Sequence, residues 1–315
     1  MKSAYSRGVL FEEIDDWMRV LELRRLRLLH ELSLRGTIAE VAEALGYSSS
    51  TVSQQLGQLE REARTALLEP DGRRVRLTPA GVRLAHHAAR MLELDEAARA
   101  ELRDSGGEAS RVRIAVMPTA AQSLVPAALD QLATRGASVR LEYREMPPEE
   151  ALFELAARTF DLVVAEQYPG HTRELRAGVD RTALGADPIR LALPADDPAR
   201  RLADLADRVW ILEPAGTAVR DWAVQQCRAA GFEPDVRYEA TDLTAHIRLV
   251  ASGHAVAMLP DLVWSGDSGS VRLVDLPGRP EREIFAATRS ASRESPAIAA
   301  VRAALADALT VRQGR

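Results

Sequence analysis

The chain is 315 residues long, 46% hydrophobic and 28% charged, which predicts two or three domains, each with material for a core. A formal net charge of −5 excludes a polybasic coat and confines any contact with nucleic acid to a local surface. The single Cys227 excludes an intramolecular disulfide framework and a multi-cysteine metal site.

Residues 1–20 mix Phe11, Ile14, Trp17 and Met18 with Glu12, Glu13, Asp15 and Asp16. They read as a short amphipathic helix, as a frayed arm or, if translation starts at Met18, as an extension absent from the native protein. Leu21, Leu23, Leu26, Leu28, Leu29 and Leu32 predict a helix with one apolar side, ended by Gly36, with Thr37 capping the next. Ile38, Val41, Ala42 and Leu45 then recur at helical spacing, and Gly46 follows where a helix closes in a left-handed residue. Ser48 or Ser49 caps a further helix whose inward face is Val52, Leu56 and Leu59. Ala42 is small enough for two crossing helices to approach, and Ala42, Gly46 and Val52 stand at the offsets of a DNA-reading helix-turn-helix. A plain helical hairpin shares these faces, so the residues downstream decide between the two.

Asp71-Gly72 is a two-residue hairpin signal between short extended runs, which makes a wing carrying Arg73, Arg74 and Arg76. Thr78 and Pro79 open a helix that runs to about residue 103 without a breaker. Its stripe of Leu84, Ala88, Met91, Ala98 and Leu102 has to be buried, with a second copy of the chain as the simple solution and packing on the chain's own body as the other. Asp104-Ser105-Gly106-Gly107-Glu108 reads as a linker. From Arg111 the periodicity changes: strand, helix, strand, helix and strand follow to Ala165, then a second such series from Ile189, two strands at 271–276 and 283–288, and a helix from Pro296. These are two α/β lobes. The expected domains are an extension (1–20), a winged helix-turn-helix (21–78), a long helix (79–104), a linker (105–110) and an effector domain (111–315). Within the last, 111–166 with 268–315 forms one lobe and 167–267 the other.

In this order the parts resemble a LysR-type transcriptional regulator. Gly36-Thr37-Ile38, Val41-Ala42, Leu45, Ser48, Val52-Ser53, Gln55-Leu56, Leu59-Glu60, Arg73-Arg74, Leu77-Thr78 and Ala80-Gly81 match the family's helix-turn-helix and wing pattern. Beyond them only strings such as Phe160-Asp161-Leu162-Val163 and Ser252 to Pro260 are typical. The chain departs from the pattern at Ser49-Ser50, where the family has Gln-Pro, at Gln54, often Arg, and at Leu68-Glu69-Pro70, often Phe-x-Arg. Base reading by a glutamine at position 49 is therefore absent. The resemblance implies an all-α winged helix-turn-helix domain, a long linker helix, and a two-lobed α/β domain arranged like a periplasmic binding protein. It also implies an effector in the cleft between lobes, and homodimers through the 79–104 helix assembled into homotetramers.

For DNA, Ser48, Ser49, Ser50, Thr51, Ser53 and Gln54 stand at the start of the second helix, where groove contact occurs, with Gln55, Arg73 and Arg74 on phosphates; Ser48 and Thr37 also read as plain caps. For the effector, strand-to-helix turns present backbone N–H groups suited to a polar or anionic group. Pro118, Thr119, Ala120 and Gln122 form one such turn, Gly216 and Thr217 its counterpart. Glu166 and Gln167 lie at the crossover, and Asp242 with Leu243 opens another helix. Thr119, Thr217 and Asp242 also read as helix caps and nothing more. The expected partners are double-stranded DNA, an unidentified small molecule, further copies of the chain and RNA polymerase. The rival reading is a stand-alone binding protein or an enzyme with an incidental helical N-terminal domain. The histidines (30, 86, 87, 171, 246 and 254) show no metal-ligand spacing, Gly-x-Ser-x-Gly and P-loop strings are absent, and Glu149-Glu150 is a helix start. Neither catalysis nor a cofactor is expected. No apolar run of about 18 residues and no basic-then-apolar leader occurs, so the expected location is the cytoplasm without membrane contact.

Overall fold

The computed structural model describes residues 21–72, 74–104, 109–173, 178–264 and 271–313. The readings of residues 1–20, of Arg73 and of the 105–108 linker lie outside them. The chain forms two compact units, Met1–Leu102 and Arg103–Arg315.

In the first unit α1 (Leu23–Arg35), α2 (Ile38–Leu45) and α3 (Ser49–Ala63) precede a hairpin of β1 (Leu68–Asp71) and β2 (Arg74–Leu77), then α4 (Pro79–Asp104). The apolar stripes meet as Leu26, Leu29, Val41, Ala42, Val52, Leu56 and Leu59, all buried. The helices stop for local reasons. Gly36 closes α1 at φ 85°, and Gly46 closes α2 at φ 68°; left-handed backbone is open to glycine without penalty. The hairpin turn sits one residue later than Asp71-Gly72 predicts. Asp71 pairs with Arg74, so Gly72 is the first turn residue, at φ 61°, the positive angle a tight hairpin needs there. The stripe of α4 also divides. Ala88 is buried and Leu84 half-buried against the unit's own core, whereas Met91, Leu94 and Leu102 are exposed.

The second unit runs β3 (Ser110–Val116), α5 (Pro118–Thr134), β4 (Val139–Glu145), α6 (Pro148–Ala156), β5 (Leu162–Gln167) and β6 (Val179–Pro194). It continues with β7 (Val209–Leu212), α7 (Ala218–Ala229), β8 (Asp235–Glu239), α8 (Leu243–Ala251), β9 (Ala257–Pro260), β10 (Val271–Asp275), β11 (Glu281–Arg289) and α9 (Pro296–Gln313). The sheet order is β10-β6-β11-β5-β3-β4, with β9 also on β6 and β7 paired with β8. β3, β4 and β5 are parallel; β6 and β11 return antiparallel. One lobe packs α5 and α9 on Ile114, Val116, Leu162 and Ile284. The other gathers Leu191, Trp210, Trp222, Cys227 and Met258.

The strand β6 redraws the lobe boundaries. Its first half, Val179 to Pro188, pairs with β11 in the first lobe, and its second half pairs with β9 and β10 in the other. Residues 179–188 therefore leave the expected 167–267 lobe, and Val271–Asp275 leaves the expected 268–315 segment to pack with Ile211, Val250 and Leu259. The reason is pattern. Asp180, Arg181, Thr182 and Gly185 interrupt any apolar alternation, so this half is a strand through its partners rather than its propensity. Among the described residues, no helix is long and apolar enough to cross a membrane.

Candidate functional site

Two places gather functional side chains, one in each unit. In the first, Ser48 caps α3 by accepting from the Thr51 backbone N–H at 3.1 Å, and its Oγ lies 2.8 Å from both Ser50 Oγ and Thr51 Oγ1. Ser48 is thus held by the helix end, as Thr37 is by Glu40 N. Ser49, Ser50, Ser53 and Gln54 are exposed on the opposite side from Val52, Leu56 and Leu59. Gln55 turns inward enough to accept from Arg25 Nε at 3.0 Å, which ties α3 to α1. Arg74 is exposed, and Arg76 pairs with Glu69 at 2.8 Å in the open, a bond that solvent leaves weak.

Two groups here carried no role in the sequence reading. Tyr47 is an exposed aromatic just before the Ser48 cap; its hydroxyl accepts from Arg24 Nη2 at 3.1 Å, and that guanidinium lies 5.2 Å from its ring centre. Glu60, at the far end of α3, accepts from the backbone N–H groups of Leu67 and Leu68 at 2.9 and 3.0 Å. Thr78 completes the joint: its N–H donates to Leu67 O, its hydroxyl to Ala66 O, and it caps α4 at Gly81 N. The matched Leu59-Glu60 and Leu77-Thr78 strings are therefore a clamp fixing the β1–β2 hairpin to α3 and α4.

In the second unit, Thr119 is buried and its Oγ1 accepts from Arg282 Nη2 at 2.7 Å. Arg282 and Asp187 face each other across β11 and β6 as a buried ion pair at 2.8 Å, and Asp187 Oδ1 accepts from Leu262 N. Burial opposes the Arg282 charge, but Asp187, Tyr168 and Glu166 together outweigh it and hold the guanidinium above its ordinary range. Pro118 and Ala120 flank Thr119 at the start of α5, Ala120 fully buried, while Gln122 is exposed. Thr217 caps α7, accepting from Arg220 N at 3.4 Å and donating to Pro214 O at 2.9 Å; Gly216 precedes it at φ 87°. Asp242 caps α8 at Thr244 N, and Leu243 packs on the second lobe. Gln167 accepts from Arg181 Nη1 at 2.5 Å.

Glu166 differs from these. Its Oε1 lies 3.6 Å from Arg173, and its Oε2 is buried with no hydrogen-bond partner. Its charge is felt by Tyr168, Glu213 and Arg282. Burial first, and then the Glu166 charge, push the Glu213 carboxyl up to about 7. The predicted Thr119 and Glu166 therefore meet one cluster through Arg282, whereas Asp242 answers to His246 and Arg248 instead. Cys227 is wholly buried, and burial pushes its thiol up to about 12. A shallow depression between α5 and α9, lined by Asp130, Arg135, Asp307 and Val311, holds no comparable group.

Comparison with known proteins covers both units. Residues 23–82 match the family profile described as bacterial regulatory helix-turn-helix protein, lysR family, and residues 105–310 match the LysR substrate binding domain. A probable hydrogen peroxide-inducible genes activator of Mycobacterium avium is 30% identical over 277 residues, 85% of this chain and 88% of its own. A full-length OxyR variant from Pseudomonas aeruginosa superposes with TM-score 0.64 at 23% identity, over 93% of this chain and 95% of that one. Full-length CbnR complexed with its target DNA gives 0.53 at 23% identity, over 91% and 99%.

Proposed function

Since the chain belongs to the LysR family of bacterial helix-turn-helix regulators, we propose that it reads DNA through the exposed face of α3 and answers to a small molecule held where its two α/β lobes meet. The observation that carries the DNA half is the split of α3. Val52, Leu56 and Leu59 are buried while Ser49, Ser50, Ser53 and Gln54 stand free at the capped end, where groove contact occurs. Short hydroxyls and one amide reach only nearby base edges, so the target sequence is this chain's own rather than one inherited from relatives with glutamine and proline there. Arg73 and Arg74 supply phosphate contacts from the wing. The Glu60 clamp keeps that wing in register with the reading helix.

The remaining parts follow from this reading. The exposed apolar residues Met91, Leu94 and Leu102 are the surface through which two copies pair along α4, and pairs assemble into tetramers. Ligand-dependent lobe closure then alters the spacing of paired reading helices on DNA, with RNA polymerase as the recipient of the change. Such a protein works in the cytoplasm and needs neither a cofactor nor a catalytic group.

Salt titration of DNA binding tests the assignment. Changing Arg73 and Arg74 to alanine should weaken binding to all sequences and flatten the dependence of log K on log salt by about 0.9 for each phosphate left unneutralised. An unchanged slope would remove both arginines from the interface. The peroxide response in the name of the Mycobacterium avium relative does not come across with the fold. A thiol switch by disulfide formation requires two cysteines, and this chain has Cys227 alone, buried and protonated. Hydrogen peroxide should leave its DNA affinity within about twofold of the untreated protein; a larger, thiol-reversible change would overturn this.

A further inference from the structure

We propose that Arg24 and Tyr47 form a phosphate contact beyond the two wing arginines: Arg24 holds a DNA backbone phosphate flanking the groove that α3 reads, and Tyr47 positions Arg24 to do so. The inference rests on the DNA reading above and gives a partner to two residues outside it.

The reading motif brings no cation of its own. Between Arg35 and Arg61 the chain holds no lysine or arginine, whereas Glu40 and Glu43 stand exposed on α2. The outward face of α3 offers hydroxyls and an amide at Ser49, Ser50, Ser53 and Gln54. A duplex carries one negative charge for about every 1.7 Å of its axis, so most of its affinity comes from cations laid against that charge. For the start of α3 these have to come from a neighbouring element, and α1 supplies one.

Arg24 lies 23 positions before Tyr47 in the chain yet beside it in the fold. Its Nη2 donates to the Tyr47 hydroxyl at 3.1 Å, and the guanidinium stands 5.2 Å from the ring centre. Tyr47 immediately precedes the Ser48 cap, so this contact sets Arg24 next to the first turn of α3. Other arginines of the unit are engaged by acids. Arg25 takes both Glu22 and Glu62, Arg35 takes Glu31, and Arg76 takes Glu69. Arg24 is exposed and meets no carboxylate among the described residues.

The choice of an aromatic partner is what points to an anion. A carboxylate would restrain the side chain and cancel its charge together. A tyrosine restrains it through the ring face and one hydrogen bond, and leaves the charge whole. The guanidinium has five N–H donors in a planar fork. Tyr47 occupies one of them, and the rest of the fork suits two oxygens of a phosphate. At 37% exposure Tyr47 keeps the pair at the surface, where a duplex docked on α3 can reach it.

Fluorescence anisotropy of the full chain on mixed-sequence duplex DNA, over a series of salt concentrations, tests the assignment. Arg24→Ala should weaken binding about tenfold at low salt. It should also flatten the dependence of log K on log salt by about 0.9 for each phosphate released. Arg24→Lys keeps the charge and should keep the slope, while losing about fivefold in affinity because an ammonium lacks the fork. Tyr47→Ala should lose about fivefold with the slope unchanged. Combined with Arg24→Ala it should cost nothing more, since Tyr47 acts through Arg24. Thermal midpoints of these exposed-site variants should stay within about 2 °C of the parent, and the salt slope is a readout that a loosened fold does not move. An unchanged slope in Arg24→Ala overturns the phosphate contact, and additive losses from the two residues overturn the positioning role of Tyr47. The Arg73 and Arg74 variant is titrated alongside. If it flattens the slope and Arg24→Ala does not, this contact alone falls; a parent chain that fails to bind the duplex brings down the DNA reading and the contact with it.

Discussion

Asp187→Ala should destabilise the second unit by about 3–5 kcal/mol, the range for removing one partner of a buried ion pair. Asp187 and Arg282 are 2% and 4% exposed, so water cannot take over the guanidinium. Thr119 alone would remain to it, and Leu262 N would lose its acceptor. No gain in apolar packing offsets this, because alanine brings only a methyl group to a polar site. At about 2–4 °C of thermal midpoint per kcal/mol for a unit of this size, the expected fall is about 10 °C. Adding Arg282→Met should restore most of it, since the expense lies in the orphaned charge rather than the missing bond. A single variant within about 2 °C of the parent would show that solvent reaches the pair.

Gly81→Ala should damage the DNA-binding unit although α4 would gain a better helix former. A Cβ at Gly81 would stand 2.1 Å from Leu67 O and 3.3 Å from Leu77 Cδ2. The atom it meets is backbone, and the same oxygen accepts from Thr78 N, so relief means breaking the joint that Glu60 and Thr78 make. Overpacking costs about 1–3 kcal/mol and the broken hydrogen bond about 1 more, against about 1 kcal/mol regained in helix propensity. A net destabilisation of about 2 kcal/mol is expected, with faster amide exchange in Leu67 to Leu77 and weaker DNA binding at every sequence. Unchanged exchange there would mean that α4 can start without this close approach.

The sequence made the DNA-reading part legible because its signals are local. Thr37, Gly46 and Ser48 act within one turn of the helices they begin or end, and the buried residues of α3 repeat at the spacing of that helix alone. Position within the wing was harder. Asp71-Gly72 marks a turn without saying which residue opens it, and strand pairing decided for Gly72. The lobes gave less. The first half of β6 shows no apolar alternation, and its register with β11 exists only once the sheet is built. For the same reason Arg282, between Glu281 and Glu283, looks like one more solvated charge, and nothing near it in the chain names Asp187 or Thr119. Glu213 stood beside the turn that was singled out, but its importance comes from Glu166 on another strand. The groups of this cluster are joined through tertiary structure, so no motif announces them.

The strand β6 has one more implication. Its two halves serve different lobes, so neither lobe owns a complete sheet. Excising the distal lobe would strip the second half of β6 of β9 and β10 and leave it with bare edges, an aggregation hazard. Exchanging one lobe for a relative's would mean splicing inside a hydrogen-bonded strand. Sharing one strand, the two lobes are expected to unfold as one cooperative body, seen as a single thermal transition.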